Sequence, residues 1–183
     1  MITTVFLDQE FPYTGPELRS LFLYEKGIKG DGVLSWVGSC DVKTQDLVDA
    51  EDKVTNDFIK SKKMVHFVAE FFHKDVFFAI CVQRLTAEIV IDVLNSLSSK
   101  TFVRKGDDIY CDHKKLNVSI ATVSPLSALM HFGVNIDSEG APVPAVGLKD
   151  LNIDPDTFAK QVLSRLKEEL ESIYAASVKV FSV

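Results

Sequence analysis

The feature that most constrains this chain is a pair of alternating segments between residues 115 and 136. In Lys115-Leu116-Asn117-Val118-Ser119-Ile120, Leu116, Val118 and Ile120 fall on one side, and Lys115, Asn117 and Ser119 on the other. The next segment places Ala128, Met130, Phe132, Val134 and Ile136 on one side and Ser127, Leu129, His131, Gly133 and Asn135 on the other. A period of two is the mark of a β-strand with distinct faces. The turn-rich join Thr122–Pro125 predicts antiparallel pairing. A register that keeps apolar with apolar puts Lys115, Asn117, Ser119, His131 and Asn135 on one polar face, since a one-residue slip would mix the faces. That face fits the solvated side of an antiparallel sheet. Gly133 between His131 and Asn135 points instead to close approach of a ligand or of backbone.

Strand and helix signals interleave along the rest. Thr3–Leu7 and Gly32–Gly38 read as strands, and Met64–Phe72 as a strongly apolar one. Thr14 and Glu17 have capping-box spacing and predict a helix through Leu18, Leu21, Phe22 and Glu25, ended by Gly27 and Gly30. Residues 41–63 read as a long loop with one helical turn. Asp75 caps a predicted helix to about Leu97, with a strand as the competing reading of Val76–Val82. Strands follow at 101–105, 108–111, 115–122 and about Leu126–Ile136. Asp154 with Pro155 opens a helix whose buried stripe is Phe158, Val162, Leu163, Leu166, Leu170, Ile173 and Tyr174. Val178–Phe181 reads as a closing strand. The expectation is one α+β domain, residues 1–183, with a central mixed or antiparallel sheet flanked by helices.

Charge and cysteine usage narrow the function classes. Acidic residues outnumber basic ones, 26 to 20, for a net charge of −6, which disfavours a nucleic-acid partner. No apolar run approaches the ~20 residues of a membrane span, and the first residues lack a basic signal-peptide start. Cys40, Cys81 and Cys111 are odd in number and widely spaced, so reduced thiols in a cytoplasmic protein are expected. Cys81 and Cys111 read as small core residues, and Cys40, at a strand end, as the thiol to test for reactivity. Asp46, Asp49, Glu51 and Asp52 offer oxygen ligands for Mg²⁺, but without a metal-spacing motif they read better as a solvated acidic loop or a helix start. No metal set or cofactor is assigned. His66 reads as structural, and His73 and His113 as exposed turn residues.

Residues 106–121, Gly106-Asp107-Asp108-Ile109-Tyr110 through Lys115-Leu116-Asn117 to Ala121, resemble a conserved segment of the biotin protein ligase, lipoate protein ligase and octanoyltransferase superfamily. His131-Phe132-Gly133-Val134-Asn135 is similar to its histidine–glycine strand. Over nearly its full length the chain also resembles an uncharacterised prokaryotic family, domain of unknown function 366, through Leu47–Asp52, Arg104–Tyr110, Ser119–Pro125 and Gly147–Leu151. The superfamily resemblance implies the catalytic fold of class II aminoacyl-tRNA synthetases. It implies Lys115 as the catalytic contact to the oxygens of an activated acid, a sound role for a cation on a rigid strand. It further implies Asp107 and Asp108 near the bound acyl moiety, with Asn117, His131 and Asn135 lining the pocket. Two departures stand out. The ligases' glycine- and arginine-rich nucleotide loop has no counterpart between Cys40 and Lys63, where residues 41–57 carry six acids against two lysines. Val146 in Ala145-Val146-Gly147 stands where octanoyltransferases keep a nucleophilic cysteine. The expected function is binding, with transfer or ligation as an extension, of a small carboxylic acid or acyl group. The alternative is a non-catalytic ligand-binding or regulatory relative that lost the nucleotide loop. A homodimer stays open.

Overall fold

The computed structural model describes residues 1–181. Its centre is a five-stranded sheet in the order β1-β2-β3-β8-β7, built from β1 (Thr3–Leu7), β2 (Gly32–Val42), β3 (Ile59–Phe71), β7 (Asn117–Val123) and β8 (Ala128–Asp137). β1 runs parallel to β2 and every other pairing is antiparallel, so the sheet is mixed. A small sheet of β4 (Phe102–Lys105), β5 (Asp108–Cys111) and β6 (Lys114–Lys115) leads into the β7 edge. No helix among the described residues is long and apolar enough to cross a membrane.

Both faces of the sheet are covered. On one lie α3 (Val76–Leu97) and α4 (Pro155–Ser177), packed on Val65, Phe67, Ala69, Met130, Phe132 and Val134. Their starts follow from the caps: the Asp75 carboxylate accepts from Phe77 N–H and that of Asp154 from Thr157 N–H, each at 2.8 Å, satisfying donors that a helix start leaves open. α3 is therefore helical from Val76, although Phe77 is exposed and the segment suits a sheet by composition. The buried stripe of α4 stops at Leu170, and Ile173 and Tyr174 face solvent. Residues 178–181 form no strand.

The opposite face is closed mainly by the irregular segment between β1 and β2, which carries the short α1 (Phe22–Glu25). Tyr13, Leu18, Phe22, Leu23 and Ile28 pack there with Leu34, Trp36, Met64 and Val68. A Cβ on Gly38 would come within 1.8 Å of Phe11 O, so only glycine lets this segment cross β2 so closely. The crossing gives a hydrogen bond from Trp36 Nε1–H to Phe11 O at 2.9 Å and a Phe11–Trp36 ring stack at 4.5 Å. The helix expected from Thr14 does not form before Phe22. Glu17 makes the capping-box contact to Thr14 N–H at 2.8 Å, but Leu21 takes a left-handed conformation with φ 65°, which breaks the helical run.

Two further expectations change. The 41–63 region is more ordered than a loop: α2 (Ala50–Thr55) is capped by Asp49, and β3 begins at Ile59. The β7–β8 register sets His131 against Ile120, Gly133 against Val118 and Phe132 against Ser119. Paired antiparallel residues share a face, so His131 sits with Val118 and Ile120, while Asn117 and Ser119 share the helix-side face with Val134 and Phe132. The polar sets are separated because neither face is solvated. Apolar alternation then does not dictate the register, and the polar residues find partners within the fold.

Glu70 pins the irregular segment to the sheet. Its buried carboxylate accepts from Leu21 N–H at 2.8 Å and Ser127 Oγ–H at 2.7 Å. Glu70→Ala leaves both donors without a partner and releases the left-handed turn at Leu21. The expected loss of unfolding free energy in urea is about 2–4 kcal/mol. A loss below about 0.5 kcal/mol contradicts this role.

Candidate functional site

A concavity with convergent polar groups lies where the β7 edge, the β5–β6 hairpin, α2 and the 141–145 loop meet. It is a cavity of about 450 Å³, and its lining includes Asp52, Asp57, Ile59, Asp107, Asp108, Lys115 and Asn135. Asp112 and His113 both have positive φ, 49° and 64°, the two-residue geometry that reverses a tight hairpin. This turn sets Lys115 opposite Tyr110, one diagonal step from Asp108. Lys115 Nζ pairs with Asp108 Oδ1 at 2.8 Å, and Tyr110 O–H donates to Asp108 Oδ2 at 3.1 Å. The Lys115 backbone is clamped on the far side: its N–H donates to Pro144 O at 2.9 Å and its carbonyl accepts from Val146 N–H at 3.0 Å. A cation is thus held on rigid backbone at a cavity wall.

Neighbouring polar groups are largely committed to holding that wall. Asp107 accepts from Arg84 Nη1 at 2.6 Å, Gln83 Nε2 at 3.0 Å and Ser119 Oγ at 2.6 Å. Asn117 uses both ends of its amide: Oδ1 accepts from Ile109 N–H at 2.7 Å, and Nδ2 donates to Asp107 O at 2.9 Å. Asn117 therefore fastens the small sheet to the large one. Asn135 Nδ2 reaches Lys115 O at 3.5 Å. Of the expected residues, Lys115, Asp107, Asp108, Asn117 and Asn135 line this one cavity.

His131 lies elsewhere, in an adjoining compartment of about 60 Å³ whose lining includes Tyr13, Leu47, Val118, Ile120 and His131. Asp49, Asp52, Ile59, Val118 and Ser119 line both spaces. Tyr13 stacks on His131 with ring centres 3.6 Å apart. His131 Nε2 stands 3.1 Å from His66 Nδ1, and His66 Nε2 lies 3.3 Å from Gly38 O. Gly133 serves this packing, since a Cβ there would come to 2.9 Å from Met64 Cε and 3.2 Å from His131 Cε1. The close approach at Gly133 is thus to side chains of the fold itself.

The acidic stretch forms part of the wall. Asp49 accepts from Glu51 N–H at 2.8 Å and Asp52 N–H at 3.2 Å, the helix-start role. Burial raises the Asp52 carboxyl above its ordinary range, and the charges of Asp49 and Asp57 add to this while Lys115 opposes it. No group of three or more metal-ligating side chains is assembled among the described residues. Cys40 is buried, and burial pushes its thiol up to about 12, so the expected reactive cysteine is an inert core residue. Cys81, expected in the core, is exposed, while Cys111 is buried. Tyr13 was not legible as a site residue: nothing local in the sequence marks a tyrosine that reaches the sheet from a distant loop.

Comparison with known proteins follows the same lines. A sequence model of the family described as "Domain of unknown function (DUF366)" matches residues 2–181. An uncharacterized protein of Methanocaldococcus jannaschii is 33% identical over 180 residues, covering 94% of this chain and 81% of that protein. A solved protein of unknown function from Pyrococcus horikoshi superposes with a TM-score of 0.96 at 36% identity, covering 100% of both chains. A biotin protein ligase of Aquifex aeolicus, a mutant solved in complex with biotin, gives a TM-score of 0.60 at 16% identity, covering 92% of this chain and 70% of its own. A candidate lipoate protein ligase of T. acidophilum with bound lipoic acid gives 0.59 at 14% identity, covering 92% and 85%. At such identities these last two show a shared fold.

The buried histidines make stability depend on pH. Burial lowers His66 from 6.5 to about 4, and burial followed by the charge of His66 lowers His131 well below its ordinary range. Between pH 6.5 and about 4 the unfolded chain binds more protons than the folded one. Stability therefore falls as pH drops through that window, by about 3 kcal/mol for His66 alone. Urea unfolding at pH 7.5, 6 and 5 is expected to show a falling midpoint, and a flat profile contradicts neutral buried rings.

Proposed function

The chain belongs to the DUF366 family, and from that premise we propose that it binds a small carboxylic acid or acyl compound in the cavity beside Lys115. The observation that carries this reading is a lysine fixed by strand pairing at the wall of a 450 Å³ cavity, in a fold shared with proteins that bind biotin and lipoic acid. A carboxylate or acyl oxygen entering the cavity exchanges with Asp108 on Lys115 Nζ and receives a charge-assisted hydrogen bond. Asp108, Asn117 and Asn135 shape the entrance, with Asp107 tying the hairpin that carries Asp108 to Gln83, Arg84 and Ser119.

Two versions of the function differ in chemistry. In one, the same lysine stabilises negative charge developing on the acyl oxygen during transfer or ligation. In the other the protein binds its ligand without reacting it. The acidic wall of Asp49, Asp52 and Asp57 favours the second, since nucleotide phosphates and carboxylates repel at short range.

Calorimetric titration with biotin, lipoate and octanoate tests the reading. At least one is expected to bind, and Lys115→Ala to weaken it by about 10- to 100-fold with the melting temperature nearly unchanged. Absence of binding by all three, or a Lys115→Ala variant that binds as well as the parent, contradicts it. Pyrophosphate release on adding MgATP with the bound acid selects the ligating version, and no release selects the binder.

A further inference from the structure

The hydrogen-bonded chain that ends at His131 has a direction. A carbonyl can only accept, so His66 Nε2 carries a proton and donates to Gly38 O at 3.3 Å. A neutral imidazole carries one ring proton, which leaves His66 Nδ1 an acceptor. His131 Nε2 is then the donor in the 3.1 Å contact, and His131 Nδ1 is a bare acceptor. Charging either ring would undo this order, and burial opposes that for both.

Position completes the argument. Nε2 is taken up by His66 on β3, and the strand on the other side of His131 is β7. There Ile120 is the register partner of His131, and Val118, Ser119 and Ile120 wall the 60 Å³ compartment. Tyr13 covers a face of the ring. No hydrogen bond among the described residues ends on Nδ1. The charged groups lining the compartment, Asp46, Asp49 and Asp52, are acceptors as well, and the rest of its wall is largely apolar.

We infer that the 60 Å³ compartment receives the far end of the bound acid, and that this end presents an O–H or N–H donor to His131 Nδ1. This rests on the acid-binding reading above and narrows it: the ligand class is a small acid with a donor-bearing terminus, as opposed to a plain alkyl acid. A donor-lacking terminus would displace water from that nitrogen without replacing its hydrogen bond, and sites built around a hydrogen bond reject such analogues strongly.

The test is calorimetric titration of the full chain with matched pairs: ω-hydroxy acids of six, eight and ten carbons against heptanoate, nonanoate and undecanoate. In at least one pair the hydroxy acid is expected to bind about tenfold more tightly or better. His131→Phe is expected to reduce that preference to about twofold or less. If this variant does not fold, the comparison within the parent protein decides alone. Methyl-ended acids that bind equally well or better at every length, with binding still lost in Lys115→Ala, overturn the inference and leave the acid site standing. A preference that persists unchanged in folded His131→Phe also overturns it. No binding by any acid overturns the acid-binding reading and this inference together.

Discussion

The β7–β8 register governs what this molecule can do. With His131 opposite Ile120 and Ser119 opposite Phe132, the polar groups of the two strands are sent to opposite faces, and each is used locally. On the helix side Ser119 and Asn117 tie down Asp107 and the small sheet. On the other side His131 is buried under Tyr13. Lys115, two residues before Asn117, where that register begins, is left at the edge, clamped by backbone on both sides and open to a cavity. A slip of one residue would bury Val118 and Ile120 among the helices and strip Asp107 of its serine partner.

This arrangement depends on covering a sheet twice with unequal materials. Two capped helices with regular apolar stripes close one face. The other is closed by an irregular segment with one turn of helix. Glu70, Trp36 and Gly38 anchor it from the sheet. The same segment delivers Tyr13 to the histidine pair, so the packing that completes the core also finishes the small compartment beside the cavity.

Much of this was legible in the sequence where local chemistry decides. Asp75 and Asp154 fix helix starts because a cap is a contact between near neighbours, and the apolar strand at Met64–Phe72 could hardly be anything else. Lys115, Asp107, Asp108, Asn117 and Asn135 were legible as a group through the ligase resemblance, and they line one cavity. The register was not, since the rule that pairs apolar with apolar presumes one wet face and this sheet has none. Leu21 illustrates the same limit: its left-handed backbone depends on Glu70, 49 residues away. Three of the six acids of residues 41–57, which count in the net charge of −6 as a solubility feature, stand in space as part of a wall of the cavity: Asp49, Asp52 and Asp57.

The central claim is that Lys115 exchanges Asp108 for the acyl oxygen of a ligand. A crystal structure grown with 8-hydroxyoctanoate tests it most directly. The account predicts a carboxylate within hydrogen-bonding distance of Lys115 Nζ, with Asp108 displaced from it. A structure in which the acid binds elsewhere, or in which the Lys115–Asp108 pair stays closed beside it, contradicts the account.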